Sequence, residues 1–110
     1  MKVLKFGGSS VASSENIEKV LAIVAKESKN EKAVIVVSAF GKTTDKLLAA
    51  ANEAIIDINI AKNTLETIKS LHFEVIENLI KKDIDAVSKE VADLFKRLNS
   101  ILLDSQGVSF

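Results

Sequence analysis

The chain has 110 residues, enough for one small domain, and its 47% hydrophobic and 27% charged residues are typical of a folded globular protein rather than a disordered one. Fifteen basic and fifteen acidic residues give a formal net charge of zero, which argues against a nucleic-acid-binding protein that depends on bulk charge. The absence of cysteine excludes disulfides and thiolate zinc sites, and the lack of a long apolar run or signal peptide predicts a cytoplasmic protein without a membrane partner.

The first third of the chain alternates between strand and helix patterns. Residues 2–6 form a short apolar strand, and residues 14–29 show helical spacing of the apolar side chains Ile17, Val20, Leu21 and Val24. Residues 33–38 are a continuous β-branched run, which is typical of a strand buried on both faces and hence of a parallel sheet. Together these elements predict a right-handed βαβ unit.

The remainder of the chain predicts three helices, over residues 44–59, 63–80 and 84–103. The turn at residues 81–83 is so short that the last two helices should form an antiparallel hairpin. The final helix carries an a/d seam suited to packing against a neighbouring helix, formed by Ile84, Val87, Val91, Leu94, Leu98 and Ile101.

The predicted element order is β-α-β-α-α-α, which has too few strands for a self-sufficient sheet. Residues 107–110 could begin a further element, so we interpret the chain as the front portion of a larger α/β domain. The single histidine, His72, lies on an apolar helix face and is predicted to be a buried packing residue rather than a catalyst.

The most informative motif follows the first strand. The strand runs directly into Gly7 and Gly8, then into Ser9 and Ser10, with Lys5 near its end. Glycines let backbone N–H groups approach an anion closely, and the following helix adds its positive N-terminal end. This order of elements predicts a phosphate-binding loop.

A second loop follows the second predicted strand. Gly41-Lys42-Thr43 invites comparison with a Walker A loop, but the other glycine of that motif would be Val36, inside the strand. We therefore interpret this segment as a strand-to-helix turn with Thr43 or Thr44 as the N-cap. Because parallel strands end at the same edge of a sheet, the two polar loops should meet there and bind a phosphate on one side and a polar small molecule on the other.

Two sequence blocks resemble one known family. Residues 5–12, KFGGSSVA, are similar to the opening motif of aspartate kinases in the amino-acid kinase superfamily, and residues 36–45, VVSAFGKTTD, resemble the second motif of that family. The resemblance implies a three-layer α/β/α sandwich, of which residues 1–110 would be the N-terminal segment of the catalytic domain. It also implies phosphoryl transfer from ATP to the β-carboxylate of L-aspartate, giving 4-phospho-L-aspartate for lysine, threonine and methionine biosynthesis.

The resemblance also implies a role for each matching residue. Lys5 would contact the transferred phosphoryl group as the catalytic residue, and Mg²⁺ would be carried by the nucleotide, without a metal site in this segment. Ser9 keeps the hydroxyl of the threonine common in the family, whereas Phe40 is bulkier than the methionine or small residue found there. The ATP phosphates would lie on Lys5, Phe6, Gly7, Gly8, Ser9 and Ser10, and the aspartate on Ser38, Ala39 and Thr44.

Further expectations concern partners. The acidic substrate-binding motif, the nucleotide-binding half and the regulatory ACT domains of the family have no counterpart in these residues, so the partners would be L-aspartate, the remainder of the kinase domain and further copies in a homo-oligomer. The segment alone should then be inactive. The alternatives are another amino-acid kinase, or a catalytically inactive helical module that self-associates through the seam of its last helix.

Overall fold

A computed structural model describes residues 1–106, which form two compact units, the first covering residues 1–43 and the second running from Thr44. The further element predicted at residues 107–110 lies outside the described residues. No helix in the described part of the chain is long and apolar enough to cross a membrane. The elements are β1 (Lys2–Phe6), a 3₁₀ turn (Gly8–Val11), α1 (Ser14–Glu27), β2 (Ala33–Val37), α2 (Thr43–Ile56), α3 (Ile58–Leu79) and α4 (Ile84–Asp104).

The first unit is built on a parallel pair of strands, as the sequence predicts. The pairing runs from Lys2 opposite Ala33 to Phe6 opposite Val37. α1 ends at Glu27, two residues before the predicted end at residue 29, and the hydroxyl of Ser28 donates to the carbonyl of Val24 at 2.6 Å. A side-chain hydrogen bond to this carbonyl competes with the backbone hydrogen bonds that would continue the helix.

β2 is more exposed than its apolar sequence predicts. Val34, Ile35, Val36 and Val37 have relative exposures of 44%, 38%, 44% and 60%. The prediction that this strand is buried on both faces is therefore wrong for the described residues. The physical reason is the number of strands, because in the described part of the chain β2 pairs with β1 alone, in a two-stranded sheet.

An ion pair joins the start of β1 to the end of α1. Lys2 Nζ donates to Glu27 Oε2 at 2.7 Å, and this hydrogen bond lowers the pKa of Glu27 and raises that of Lys2. A carboxylate with a lowered pKa stabilises the fold above its unfolded pKa of about 4.3, and this stabilisation is lost as the pH falls through the lowered folded value. We therefore expect Glu27→Gln to reduce the acid dependence of unfolding below about pH 4.3, measured by denaturant titration at several pH values. If the free energy of unfolding falls equally with decreasing pH in both proteins, this assignment is contradicted.

The second unit begins with a helix break that the sequence analysis misplaces. The predicted gap lies at residues 60–62, whereas α2 ends at Ile56 and α3 begins at Ile58. Between them, Asp57 adopts an extended conformation and its Oδ1 accepts a hydrogen bond from the Asn59 backbone at 2.9 Å. An N-terminal aspartate cap satisfies an N–H group that has no partner within the helix, and this overrides continuous apolar spacing.

Small side chains fill the centre of this unit. Alanine at the contact lets helix axes approach closely, and each methyl group leaves no polar atom to satisfy. Ile68, on α3, is the largest side chain that is fully buried, at 1% exposure. The central cluster consists of Ala50 and Ala54 from α2, Ala61 and Leu65 from α3, and Leu102 from α4.

The predicted antiparallel hairpin of α3 and α4 is confirmed. Asp83 turns the chain with a left-handed φ of 58°. Leu65 and Leu102 share the central cluster, while seven residues further along α3 the His72 ring meets Phe95 edge-to-face at a centroid distance of 5.4 Å. The contacts therefore run in opposite directions along the two helices.

The predicted seam of α4 is divided between two faces. Leu98 packs against the central cluster, but Leu94 and Ile101 are 56% and 54% exposed. α3 instead contacts the neighbouring stripe of α4, through Phe95 and Leu102, which the predicted seam does not contain. Two of the six seam residues, Leu94 and Ile101, are therefore exposed within the described residues.

The packing role predicted for His72 is confirmed, although the side chain is half-buried rather than buried. Its Nδ1 lies 2.8 Å from the carbonyl oxygen of Ile68. Because a carbonyl oxygen can only accept, Nδ1 carries the proton in this contact.

Truncating the core of α3 should be costly. Ile68→Ala removes a fully buried side chain and leaves a cavity, so we expect the free energy of unfolding to fall by about 2–5 kcal/mol in urea titrations. Leu48→Ala, at a position on α2 that is 60% exposed, is the control and should change the free energy by less than about 0.5 kcal/mol. Similar losses in both variants would contradict the described packing.

Candidate active site

Two loops lie together at one edge of the strand pair. Phe6 is opposite Val37, so β1 and β2 end at the same level. The ladder continues one step further, since the backbone N–H of Ser38 donates to the carbonyl of Phe6 at 3.1 Å. Residues 7–12 form the first loop and residues 38–42 the second loop, and both leave this carboxyl edge as the sequence predicts.

The first loop presents free backbone donors. Gly7 is extended, and the chain then makes the 3₁₀ turn, in which Ser10 N donates to Gly7 O at 3.1 Å. The N–H groups of Gly8 and Ser9 open this turn and donate to no backbone carbonyl among the described residues. A β-carbon at Gly7 would have nothing within 4 Å, so this side of the loop is open to a ligand.

The 3₁₀ turn was not predicted. Because of it, the N-terminus of α1 does not directly follow the glycines. The turn separates the glycines from the helix, whose first turn is already capped by the Ser13 hydroxyl, which accepts from the Asn16 backbone at 3.2 Å. The side-chain Nδ2 of Asn16 donates to the carbonyl of Ser9 at 3.1 Å and so ties α1 to the loop. Asn16 is not among the residues predicted from the sequence, because one polar residue in a first helical turn carries no distinctive signal.

Gly8 has a different purpose from Gly7. A β-carbon on Gly8 would lie 2.7 Å from the carbonyl oxygen of Gly41, and the Gly41 N–H donates to Gly8 O at 3.0 Å. Real β-carbons do not occur at such a distance. Gly7 therefore leaves space open beside the loop, whereas the missing β-carbon of Gly8 also lets the two loops touch; the anion-binding role of both glycines stays a prediction.

Lys5 and Phe6 lie on opposite faces of the sheet. Successive side chains of a strand alternate, and here Lys5 is exposed while Phe6 is half-buried. Lys5 forms no ion pair with any described residue, so its ammonium group is available. A groove of about 330 Å³ adjoins Phe6, on the face away from Lys5, and is lined by Phe6, Ser9, Ser10, Asn16, Lys19, Val20 and Ile23.

The second loop places polar groups at the same edge. Ser38 and Ala39 are exposed, and the Ser38 hydroxyl donates to the Ala39 carbonyl at 2.9 Å. Thr43 N donates to the carbonyl of Phe40 at 2.9 Å, which closes the turn before α2. The structure thus brings Ser38 and Ala39 to the edge beside the first loop, within the first unit.

The two threonines differ from expectation. α2 begins at Thr43, which is buried, and its hydroxyl has no hydrogen-bond partner in the described residues, so the predicted threonine cap is wrong. A helix that starts at Thr43 makes that residue part of the first turn rather than its cap. Thr44 is exposed and is the first residue of the second unit.

A second groove lies in the other unit and suits an anion less well. It measures about 370 Å³ between α3 and α4. Its charged lining mixes Lys69 and Lys96 with Glu66 and Asp93, so the carboxylates offset the ammonium groups.

Comparison with known proteins defines the class. The profile of the amino acid kinase family matches residues 1–110, so the chain belongs to the amino acid kinase family. Within that family the similarity is to the N-terminal portion of aspartate kinases, as the two motifs predict.

Individual relatives support this assignment. The chain is 35% identical to aspartokinase 2, chloroplastic, of Arabidopsis thaliana over 97% of its own length and 19% of that relative, and 50% identical to an aspartokinase of Mycobacterium tuberculosis (strain H37Rv) over 46% of this chain and 12% of that relative. The chain therefore spans about a fifth or less of the length of these relatives.

The predicted fold class is confirmed by a solved structure. E. coli aspartokinase III, in complex with lysine and aspartate, superposes with a TM-score of 0.82 over 99% of this chain and 23% of that chain, at 23% identity. The chain therefore has the fold of an amino-acid-kinase segment.

Proposed function

We propose that the chain is a segment of an aspartate kinase, in which the first loop binds the phosphates of ATP and the second loop binds L-aspartate. The product would be 4-phospho-L-aspartate, the first intermediate toward lysine, threonine and methionine. The observation that carries the proposal is the contact of two polar loops at one carboxyl edge, because phosphoryl transfer requires donor and acceptor side by side. The cytoplasmic location stays a prediction.

The donor side fits an anion. Among the described residues, the N–H groups of Gly8 and Ser9 have no backbone acceptor, Gly7 leaves the approach open, and the Lys5 ammonium group forms no ion pair. These groups, with Phe6 and the Ser10 hydroxyl, would hold the phosphates of ATP, which supplies the transferable phosphoryl group and carries Mg²⁺ with it.

The acceptor side is formed by exposed polar groups. Ser38 and Ala39 would bind L-aspartate through hydroxyl and backbone groups, and Thr44 would add a second hydroxyl. The β-carboxylate is itself the nucleophile, so no covalent enzyme intermediate is needed. The work of this segment is then positioning the two substrates and stabilising the charge on the transferred group through Lys5.

One assay tests the proposed reaction. An acyl phosphate is trapped by hydroxylamine as a hydroxamate, so the full-length protein that contains this segment should form aspartyl hydroxamate in the presence of ATP, Mg²⁺ and L-aspartate. Glutamate and N-acetylglutamate are the control acceptors and should give little product. Preferential use of a control acceptor would assign the protein to another amino-acid kinase, and no acceptor-dependent product would contradict the proposal.

Exposed apolar surface supports two further partners. We propose that the remainder of the kinase domain covers β2, whose side chains at Val34 to Val37 are exposed in the described residues. We also propose that the protein is a homo-oligomer. Leu94 and Ile101, one heptad apart on α4, favour the alternative of a self-associating helical module, since they form an unpartnered stripe.

The 110-residue chain alone should therefore be inactive and should self-associate at micromolar concentration, measured by sedimentation. Leu94→Glu would weaken association if α4 forms the contact, and Ser100→Glu, on another side of the helix, is the matched control. A sharp monomer peak with cooperative unfolding would show that the chain needs no cover for these surfaces.

A further inference from the structure

We propose that Gly8 and Gly41 form a backbone lock, which holds the two loops at a fixed separation and makes both glycines positioning residues for phosphoryl transfer. The inference rests on the proposed function for its consequence, but its geometry stands independently. Both residues belong to the first unit, 33 positions apart in sequence.

The first support is the lack of space at Gly8. The carbonyl oxygen of Gly41 lies 2.7 Å from where a β-carbon would be, the carbonyl carbon 3.5 Å and the Ala39 oxygen 3.6 Å. All of these are backbone atoms, which cannot move aside as the end of a flexible side chain can. An alanine at Gly8 must therefore push the second loop away.

The second support is the backbone conformation of Gly41. Its φ is +49°, in the left-handed region that favours glycine and, next, asparagine. The nearest atom to its β-carbon position is Cβ of Ala12 at 3.5 Å, an ordinary contact. Glycine is therefore favoured at position 41 by the dihedral angle, and required at position 8 by the lack of space.

The third support is that the Gly41–Gly8 hydrogen bond is the outer of two backbone hydrogen bonds that join the loops. Ser38 N to Phe6 O at 3.1 Å joins the loops at their bases, and Gly41 N to Gly8 O at 3.0 Å joins them further out. The segments between these bonds cannot separate unless one of the bonds breaks. A misplacement of about 1 Å between reacting groups can cost about a hundredfold in rate. A fixed loop separation therefore serves the chemical step rather than the binding of either substrate alone.

Amide hydrogen exchange on the 110-residue chain tests the lock without any activity. The Gly41 amide should be protected in the wild type and should exchange about tenfold faster in Gly8→Ala, the loss expected for one hydrogen bond. The Ser38 amide, which donates the inner of the two hydrogen bonds, should keep its protection from exchange. Gly7→Ala is the matched control, because nothing lies within 4 Å of its β-carbon position, and it should leave the Gly41 amide unchanged. An unprotected Gly41 amide in the wild type, or one unaffected by Gly8→Ala, would overturn the lock.

Kinetics of the full-length protein test the positioning role. Gly8→Ala should lower kcat about a hundredfold, while the Kd of ATP and the Kd of L-aspartate, each measured alone by calorimetry, change by less than about threefold. Gly41→Asn should keep most of the turnover and Gly41→Val should lose it, which provides a second route if Gly8→Ala does not fold.

Different results would overturn the positioning role and the proposed function. If Gly8→Ala opens the lock but retains kcat, or raises both Kd values in proportion to the loss of turnover, the positioning role is overturned and the proposed function stands. If the wild-type protein shows no aspartate-dependent turnover, the proposed function fails, and with it the positioning role, while the exchange result still decides the lock.

Discussion

Replacing Lys5 with alanine is expected to lower kcat of the full-length protein by about a hundred- to a thousandfold, corresponding to about 3–4 kcal/mol of transition-state stabilisation. Lys5 is exposed on β1 and no described carboxylate pairs with it, so its charge is available to a bound phosphoryl group. Charge on the transferred group changes most in the transition state, and the loss should therefore appear in kcat more than in KM.

Lys19→Ala is the matched control for this prediction. Lys19 also lies near the first loop, but it lines the groove beside Phe6, on the face of the sheet away from Lys5. Its side chain is 70% exposed, and its one ion pair among the described residues is a 4.0 Å contact with Glu15. We expect kcat within about threefold of the wild type for Lys19→Ala. If Lys5→Ala behaves in the same way, the role assigned to Lys5 is wrong.

The second large effect is expected at Thr44. Thr44→Val removes one hydroxyl from the proposed acceptor site, and a hydrogen bond to a charged group contributes about 1.5–3 kcal/mol, so KM for L-aspartate should rise about ten- to a hundredfold. KM for ATP should stay nearly constant, because the phosphates are assigned to the first loop. Initial rates with each substrate varied in turn provide the measurement.

The neighbouring threonine offers an isosteric control. Thr43 is 5% exposed and its hydroxyl has no partner in the described residues, so Thr43→Val removes a buried polar group that forms no hydrogen bond. Such a change is expected to be neutral or stabilising and to leave both KM values unchanged. An equal rise of both KM values in Thr44→Val would show that the loops are not divided between the substrates as proposed.

Local sequence patterns predicted most of the elements. The β-branched run, the helical spacing of apolar residues and the short turn at residues 81–83 led to the parallel pair, the four helices and the α3–α4 hairpin. The break at Asp57 escaped, because apolar residues continue at helical spacing across it while a single side-chain cap ends one helix and begins the next. The exposure of β2 follows from the small number of predicted strands, since burial depends on neighbours that these residues do not provide.

The position of the two loops could be predicted from the sequence, but the contacts that hold them together could not. Strand ends followed by Gly7 and by Ser38 place both loops on one edge, which follows from parallel pairing alone. That Gly8 touches Gly41 depends on a contact between residues 33 positions apart, which no local pattern encodes. The 3₁₀ turn and the bond from Asn16 to Ser9 likewise arise from the path of the chain between β1 and α1.

The most direct test of the central claim is a residue-resolved NMR titration of the ¹⁵N-labelled chain with a non-hydrolysable ATP analogue, and separately with L-aspartate, each up to about 10 mM to capture weak binding. We expect the ATP analogue to shift the amide signals of Gly7, Gly8 and Ser9, and aspartate to shift those of Ser38 and Ala39. Shifts confined to the groove between α3 and α4, or none at the carboxyl edge of β1 and β2, would contradict it.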